Sequence, residues 1–153
     1  MEKRKRARDD WSVMLRTAKE VSKRAYAPYS DLRVGAVLRA ATGEDYVGCN
    51  VENSSFGLTV CAERAAALRA IADGERAWSA LLIYTPDAGP LSPCGACRQM
   101  LAEFCRELPI VSVGRGGMRR EMNLRDLLPQ PFAWPAGNQG EELEKAPGGA
   151  TQP

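Results

Sequence analysis

The chain has 153 residues, 44% of them hydrophobic, which suffices for one domain with a sizeable core and is too little for two domains of ordinary size. Its net charge is +2, but residues 1–10 hold five of the 21 Lys and Arg and only three of the 19 Asp and Glu, so the charges balance from Trp11 onward. A neutral body lacks the net-basic footprint of proteins that bind phosphate backbones, and we predict no nucleic-acid partner.

No stretch approaches the ~20 apolar residues of a membrane span, and the basic N-terminus continues into Asp9 and Asp10 rather than into an apolar segment. We therefore predict a cytoplasmic protein without a membrane partner. Five cysteines, two of them in a CxxC, favour metal or redox chemistry over a disulfide framework. Because the chain has no histidine, acid-base work near neutral pH requires a carboxylate, a thiol, a lysine or a metal-bound water.

The two ends of the chain carry no core pattern. Residues 1–10 are a charge run without apolar periodicity and are predicted to be a basic disordered tail. Apolar residues recur at helical spacing from Trp11, which predicts a first amphipathic helix that ends before Pro28. Beyond Pro135 the chain is Gly, Pro and Glu without a hydrophobic period, which predicts a second disordered tail over 136–153. The folded domain is therefore expected over residues 11–135.

The first half of this domain begins with a predicted hairpin. Strands are expected over 34–40 and 46–49 around a turn at Gly43, followed by a polar loop over 50–58. The alanine-rich run that follows favours a helix with Thr59 as its N-cap.

This second helix is predicted to stop at Gly74, and its first turn then contains Cys61 and Glu63. A buried strand is expected over 81–84. Ser92 as N-cap and Pro93 as first helical residue predict a third helix, closed by Pro109. Further expected elements are a strand over 110–113, a weaker strand over 118–122 and a short helix over 124–128.

The resulting order of elements predicts an α/β fold, a single domain with a central mixed sheet of five strands flanked by helices. The sheet is expected to be partly parallel because helices in the middle of the chain serve as crossovers. Both cysteine-bearing turns lie where a strand is followed by a helix, the usual place for a site in an open α/β sheet.

Three cysteines in these turns form a candidate metal site. Cys94 and Cys97 are three residues apart at a helix start, where the helix dipole favours thiolates, and Cys61 lies at the start of another helix. Three protein ligands leave one position open for water. Glu63 is placed to take a proton from such a water. Cys49 and Cys105 are interpreted as small core residues.

At this point the sequence resembles the cytidine deaminase family, specifically the small homotetrameric type that acts on free nucleosides. The resemblance spans residues 20–132 and runs through YAPYS, VGAVL, GCNVENSSFGLTVCAERAA, SPCGACRQ and LLP followed by Phe132. It implies one Zn²⁺ per chain on Cys61, Cys94 and Cys97, with Glu63 as proton shuttle. It also implies that Arg64 hydrogen-bonds the ligand sulfurs and withdraws charge from them.

The resemblance also assigns substrate contacts. It implies that Asn50 and Glu52 bind the ribose 3′-hydroxyl and that the backbone at Ala62 and Ser92 reads the pyrimidine. Leu32 stands where the family usually has an aromatic residue that stacks on the base, and leucine loses a ring-ring contact worth ~0.5 to 1.5 kcal/mol.

Two further rings point to a shared site. In relatives, rings at the positions of Phe56 and Phe132 reach the pocket of a neighbouring subunit, which implies a homotetramer. Phe56 stands where many relatives have tyrosine, so any contact of that hydroxyl is missing.

The expected function is the hydrolytic deamination of cytidine and 2′-deoxycytidine to uridine and 2′-deoxyuridine, with release of ammonia, in pyrimidine salvage. Two alternatives stay open at this point. One is a deaminase of another substrate, such as blasticidin S or a base within RNA or DNA. The other is a non-enzymatic binding module in which zinc is purely structural.

Overall fold

The computed structural model describes residues 2–134, with side chains from Trp11 onward. Its helices and strands follow the predicted order. They are α1 Glu2–Ser22, β1 Gly35–Ala40, β2 Asp45–Cys49, α2 Ala62–Ala72, β3 Trp78–Tyr84, α3 Gly95–Ala102, β4 Pro109–Val113, β5 Arg119–Asn123 and α4 Leu124–Leu127. Within these residues, no helix has the length and apolar content needed to cross a membrane.

The five strands form one mixed sheet in the order β2-β1-β3-β4-β5, which confirms the predicted fold class. Strands β3 and β4 are parallel, and the other neighbouring pairs are antiparallel. Since β2 and β3 are both antiparallel to β1, they run in the same direction. Their carboxyl ends therefore meet at one edge of the sheet, and the chain continues from there into α2 and α3.

Helices cover both faces of the sheet. Alternate residues of β1 point to opposite faces, so that Ala36 and Leu38 belong to one core cluster and Val37 to the other. Met14 and Ala18 of α1 pack on the Val37 side. The cluster that contains Ala36 and Leu38 also includes the buried alanines of α2 and Leu101 of α3. Both helices that carry the candidate site therefore lie on this face of the sheet.

A glycine in β2 allows α2 to lie close to the sheet. A Cβ added at Gly48 would lie 2.4 Å from the carbonyl oxygen of Ala62 and 2.4 Å from the backbone nitrogen of Ala66. Both atoms are backbone, so the helix would have to move away from the strand. Gly48 therefore fixes the height of α2, and with it the position of Glu63, above the sheet.

Some predicted boundaries differ from the structure. Helix α1 begins at Glu2 rather than at Trp11 and so includes residues assigned to the N-terminal tail, although the division into domain and tails remains a prediction. Helix α3 ends at Ala102, well before Pro109, which is instead the first residue of β4. The predicted C-terminal tail lies outside the described residues.

The predicted N-caps of α2 and α3 were wrong, because the cysteines themselves occupy the cap positions. The hydroxyl oxygen of Thr59 accepts from the backbone N–H of Asn53 at 3.2 Å, and that of Ser92 accepts from Arg98 at 2.9 Å. Both oxygens thus hold other groups, and the chain stays extended for two more residues before each helix begins.

Candidate metal centre and active site

Cys61 and Cys94 are the N-cap residues of α2 and α3, with extended backbone angles at both positions. The first N–H groups of a helix have no acceptor within the helix and carry its positive dipole end. The two cysteines therefore lie at two such ends, which meet at the carboxyl edge of β2 and β3. Neither side chain makes a capping hydrogen bond, so both sulfurs are directed elsewhere.

The sulfurs of Cys61, Cys94 and Cys97 meet in one cluster, and all three lie within 4.8 Å of one another. The separation is 3.7 Å between Cys61 and Cys94 and 3.4 Å between Cys94 and Cys97. Two sulfurs bound to one zinc at ~2.3 Å in tetrahedral geometry are about 3.8 Å apart. The cluster thus fits Zn²⁺ by donor type and by spacing, with three ligands and one open position.

The thiols of this cluster interact strongly. The pKa of Cys61 is lowered to about 5, chiefly by a hydrogen bond from Cys97, with Cys94 and Arg64 contributing. That same bond, together with burial, raises the pKa of Cys97. The two thiols thus shift each other's pKa in opposite directions, and a bound cation would favour the thiolate form of all three cysteines.

Glu63 is the second residue of α2 and is buried, with 6% of its surface exposed. Burial raises the pKa of its carboxyl to about 7, and the negative charge of Cys61 adds to this effect. A carboxyl with a pKa near neutrality is suited to accept and return a proton. The predicted placement of Glu63 in the first turn is confirmed.

Arg64 lies next to Glu63 and faces the sulfurs. Its Nη2 donates to the carbonyl of Thr59 at 2.7 Å, and its Nε is buried without a hydrogen-bond partner among the described residues. Burial opposes the charge of this guanidinium, but hydrogen bonding to Cys61 and the charge of the cluster outweigh it and raise the pKa. Arg64 therefore supplies positive charge to the cysteine cluster.

Asn50 follows β2 and is buried. Its side-chain oxygen accepts from the backbone N–H of Val34 at 2.8 Å, and its Nδ2 donates to the carbonyl of Leu32 at 2.8 Å. The side chain thus fixes the segment that leads into β1. The contact with Leu32 uses one of the two hydrogens on the amide nitrogen.

Glu52 holds the turn that precedes this segment. Its carboxylate accepts from the backbone N–H of Tyr29 at 2.9 Å, and from the backbone N–H at 3.3 Å and the hydroxyl of Ser30. The hydroxyl of Ser30 is the largest cause of a lowered pKa of Glu52, which keeps the carboxylate charged. Both predicted sugar-binding residues therefore also hold the loop over 29–34.

The other predicted contact residues differ in how far they are exposed. Ala62 is buried and is the first residue of α2, so that its N–H has no acceptor within the helix. Leu32 is half-buried against the core. Phe56 is 73% exposed and meets Tyr29 edge-to-face, with ring centroids 5.7 Å apart.

Phe132 is held from α3. The side-chain amide of Gln99 donates to the carbonyl of Phe132 at 2.8 Å and accepts from its N–H at 2.9 Å. The ring of Phe132 is 66% exposed and meets Trp134 edge-to-face, with centroids 6.2 Å apart. The backbone of Phe132 is thus fixed while its ring stays largely exposed to solvent.

Sequence reasoning missed Gln99 and Arg98. The guanidinium of Arg98 donates to Ser92, Pro93 and Leu127 at 2.7 to 3.0 Å. The sequence feature that could have identified Arg98 is its position in the first turn of α3, where the helix dipole disfavours positive charge.

Two cysteines lie outside the cluster. Cys105 is half-buried against the core and donates to the carbonyl of Trp78 at 3.5 Å, which agrees with the prediction of a core residue. Cys49 is half-buried at the end of β2. Neither belongs to the group of described residues able to hold a metal together.

Comparison with known proteins agrees with this geometry. A family profile described as cytidine and deoxycytidylate deaminase zinc-binding region matches residues 9–112. A cytidine deaminase of Sporosarcina psychrophila is 42% identical over 125 residues, which cover 81% of this chain and 92% of that relative.

Solved structures agree as well. Cytidine deaminase from Burkholderia pseudomallei has a TM-score of 0.75 at 41% identity, covering 79% of this chain and 98% of its own. The enzyme from Mycobacterium tuberculosis has a TM-score of 0.70 at 38% identity, covering 82% and 98%. With a profile that spans most of the folded region and relatives well above 30% identity, the chain belongs to the cytidine deaminase family.

Proposed function

We propose that the protein catalyses the zinc-dependent hydrolytic deamination of cytidine and 2′-deoxycytidine, a step of pyrimidine salvage that yields uridine or 2′-deoxyuridine and ammonia. The observation that carries the proposal is a buried carboxylate two residues after one of three clustered cysteines. A zinc-stabilised binding module needs no buried acid beside its ligands and is not favoured. Relatives named cytidine deaminase support this nucleoside over blasticidin S or a nucleic-acid base.

In the proposed reaction, Cys61, Cys94 and Cys97 would hold one zinc ion, which would supply the Lewis acidity that lowers the pKa of a water toward ~7. Glu63 takes a proton from this water and passes it to N3 of the base. The C4–O bond forms, and the same carboxyl then takes the remaining proton of the new C4 hydroxyl and delivers it to the amine. The C4–N bond breaks, which releases ammonia and leaves a carbonyl at C4. Burial, which raises the pKa of this carboxyl, helps it to hold the proton between the two transfers.

Asn50 and Glu52 are proposed to bind the ribose 3′-hydroxyl. The amide of Asn50 has a second hydrogen to donate, and the carboxylate of Glu52 is charged and offers about four acceptor positions, of which three are used by Tyr29 and Ser30. The pair would then hold the loop and the sugar at once. The backbone at Ala62 and Ser92 is proposed to read the pyrimidine, against a wall formed by Leu32.

The active unit is proposed to be a homotetramer that shares rings between sites. Supporting this, Phe132 and Trp134 are both more than half exposed and in contact with each other, and adjacent apolar side chains exposed to solvent are typical of an interface. The contacts with Gln99 fix the backbone of Phe132, which lowers the entropy cost of presenting its ring to a partner.

The proposed location is the cytoplasm, where thiols stay reduced, as a three-cysteine zinc site requires. All five cysteines are free. The division into a catalytic domain over 11–135 with tails over 1–10 and 136–153 is likewise proposed, as is the absence of nucleic-acid and membrane partners.

Cys94→Ala should remove zinc together with activity, because two thiolates no longer complete a three-ligand site. Metal analysis of the purified protein is expected to find one zinc per wild-type chain and a small fraction of that in the variant. The matched control is Cys105→Ala, which should keep its zinc. Equal zinc in Cys94→Ala and wild type would contradict the ligand assignment.

Glu63→Gln should lower kcat by ~10² to 10⁴ while zinc content and thermal stability stay near wild type, because the amide keeps the volume and cannot carry the proton. The matched control is Glu103→Gln, an exposed residue at the end of α3, which should leave kcat unchanged. Near-normal turnover in the zinc-loaded Glu63→Gln protein would rule out the proton shuttle.

The sugar contact is tested with substrates that lack one hydroxyl. Cytidine and 2′-deoxycytidine should have similar kcat/KM, while 2′,3′-dideoxycytidine should be about 5- to 150-fold poorer, because buried polar groups then stay unpaired. Glu52→Gln should reduce the ratio of kcat/KM between 2′-deoxycytidine and 2′,3′-dideoxycytidine. If all three nucleosides react equally well with the wild type, Asn50 and Glu52 only brace the loop.

The shared ring is tested by mixing two weak variants. Phe132→Ala should lower kcat/KM by ~10-fold through loss of an aromatic contact of about 1.5 kcal/mol. Co-expression with Glu63→Gln subunits should restore part of the activity, because intact Glu63 sites then receive Phe132 from a neighbour. A Glu63→Gln/Phe132→Ala partner should restore nothing. A fully active monomer, or no difference between the two partners, would contradict the shared site.

A further inference from the structure

The two helices that carry the cysteine cluster share an unassigned feature. Each has an arginine near its start, Arg64 as the third residue of α2 and Arg98 as the fourth residue of α3. Each guanidinium donates to the backbone carbonyl five residues earlier, Arg64 to Thr59 at 2.7 Å and Arg98 to Pro93 at 2.7 Å. The same contact thus recurs beside both cap cysteines.

Arg98 makes further contacts that Arg64 does not share. Its Nη2 donates to the hydroxyl oxygen of Ser92 at 2.9 Å, and its Nη1 donates to the carbonyl of Leu127 in α4 at 3.0 Å. One planar guanidinium therefore joins the two residues that precede Cys94 to α4. Because the donors of arginine have a fixed geometry, this arrangement fixes the direction in which the chain enters Cys94.

Helix stability does not account for a cation at this place. Positive charge near a helix start opposes the dipole, at a cost comparable to that of a weak hydrogen bond. The three oxygens that Arg98 contacts are neutral, so no ion pair offsets the cost through these contacts. The contacts of Arg98 instead hold the segment over 92–94. This segment ends at Cys94, which is the exposed member of the cysteine cluster.

We propose that Arg98 is a positioning residue that holds Cys94 in place for zinc by fixing Ser92 and Pro93 against α4. The inference rests on the proposed assignment of Cys94 as a zinc ligand. Arg98 would act on the metal through Ser92 and Pro93, the two residues before Cys94, rather than by contact with substrate.

The test compares Arg98→Lys with Arg106→Lys in the zinc-loaded protein. Lysine keeps the charge but loses the planar fork. Arg106 also donates to the C-terminal segment, at 3.3 Å to the carbonyl of Pro129, but it does not contact residues 92–93. Zinc release to a colorimetric chelator should be ~10- to 100-fold faster in Arg98→Lys and unchanged in Arg106→Lys. Ser92→Ala, which removes one of the three contacts, should accelerate release by a few-fold.

Several outcomes would overturn the inference. If Arg98→Lys releases zinc at the wild-type rate, a positive charge at this position is sufficient and the planar guanidinium does not position Cys94. If its melting temperature falls but its release rate matches that of Arg106→Lys, the role is merely structural. The release assay uses no nucleoside, and the zinc content of Cys94→Ala tests the ligand assignment separately, so failure of this inference is distinct from failure of the proposed function.

Discussion

The concentration of acidic groups at the start of two helices is the constraint on which the rest of the structure depends. Three sulfurs lie within 4.8 Å of one another, and the carboxyl of Glu63 is buried beside them. Burial raises the pKa of Glu63, and the hydrogen bond to Cys61 raises that of Cys97, so these four acids disfavour one another's ionisation. Metal binding and proton release are therefore coupled at this site.

Two features of the fold offset the negative charge of the cysteine cluster: the positive dipole ends of two helices and the guanidinium of Arg64. Because β2 and β3 point the same way, two helix starts meet at one edge of the sheet, and Gly48 lets α2 approach it closely. With three thiolates and no histidine, a zinc centre would carry net negative charge, which weakens its power to acidify water. The positive ends of α2 and α3, together with Arg64, act against that charge.

The sequence was sufficient for the fold class and for the cysteine cluster with Glu63, because strand and helix patterns and cysteine spacing are local signals. The N-caps of α2 and α3 were predicted wrongly, because the hydroxyls of Thr59 and Ser92 have hydrogen-bond partners that local propensity does not reveal. The contact of Arg98 with Leu127 joins residues 29 apart, and that of Gln99 with Phe132 joins residues 33 apart. Such pairs depend on how α3 and the C-terminal segment pack, which no local pattern contains.

The loop over 29–34 links the residues proposed to bind the sugar to the residue proposed to face the base. Its residue Leu32 is fixed at both backbone groups, with its N–H donating to the hydroxyl of Ser30 at 3.1 Å and its carbonyl accepting from Asn50 at 2.8 Å. Ser30 is in turn held by Glu52. The side chains proposed to bind the 3′-hydroxyl therefore also set the wall against which the pyrimidine would lie. A leucine in place of an aromatic ring then changes the surface of that wall and leaves the backbone contacts that position it unchanged, because those contacts involve no atom of the side chain.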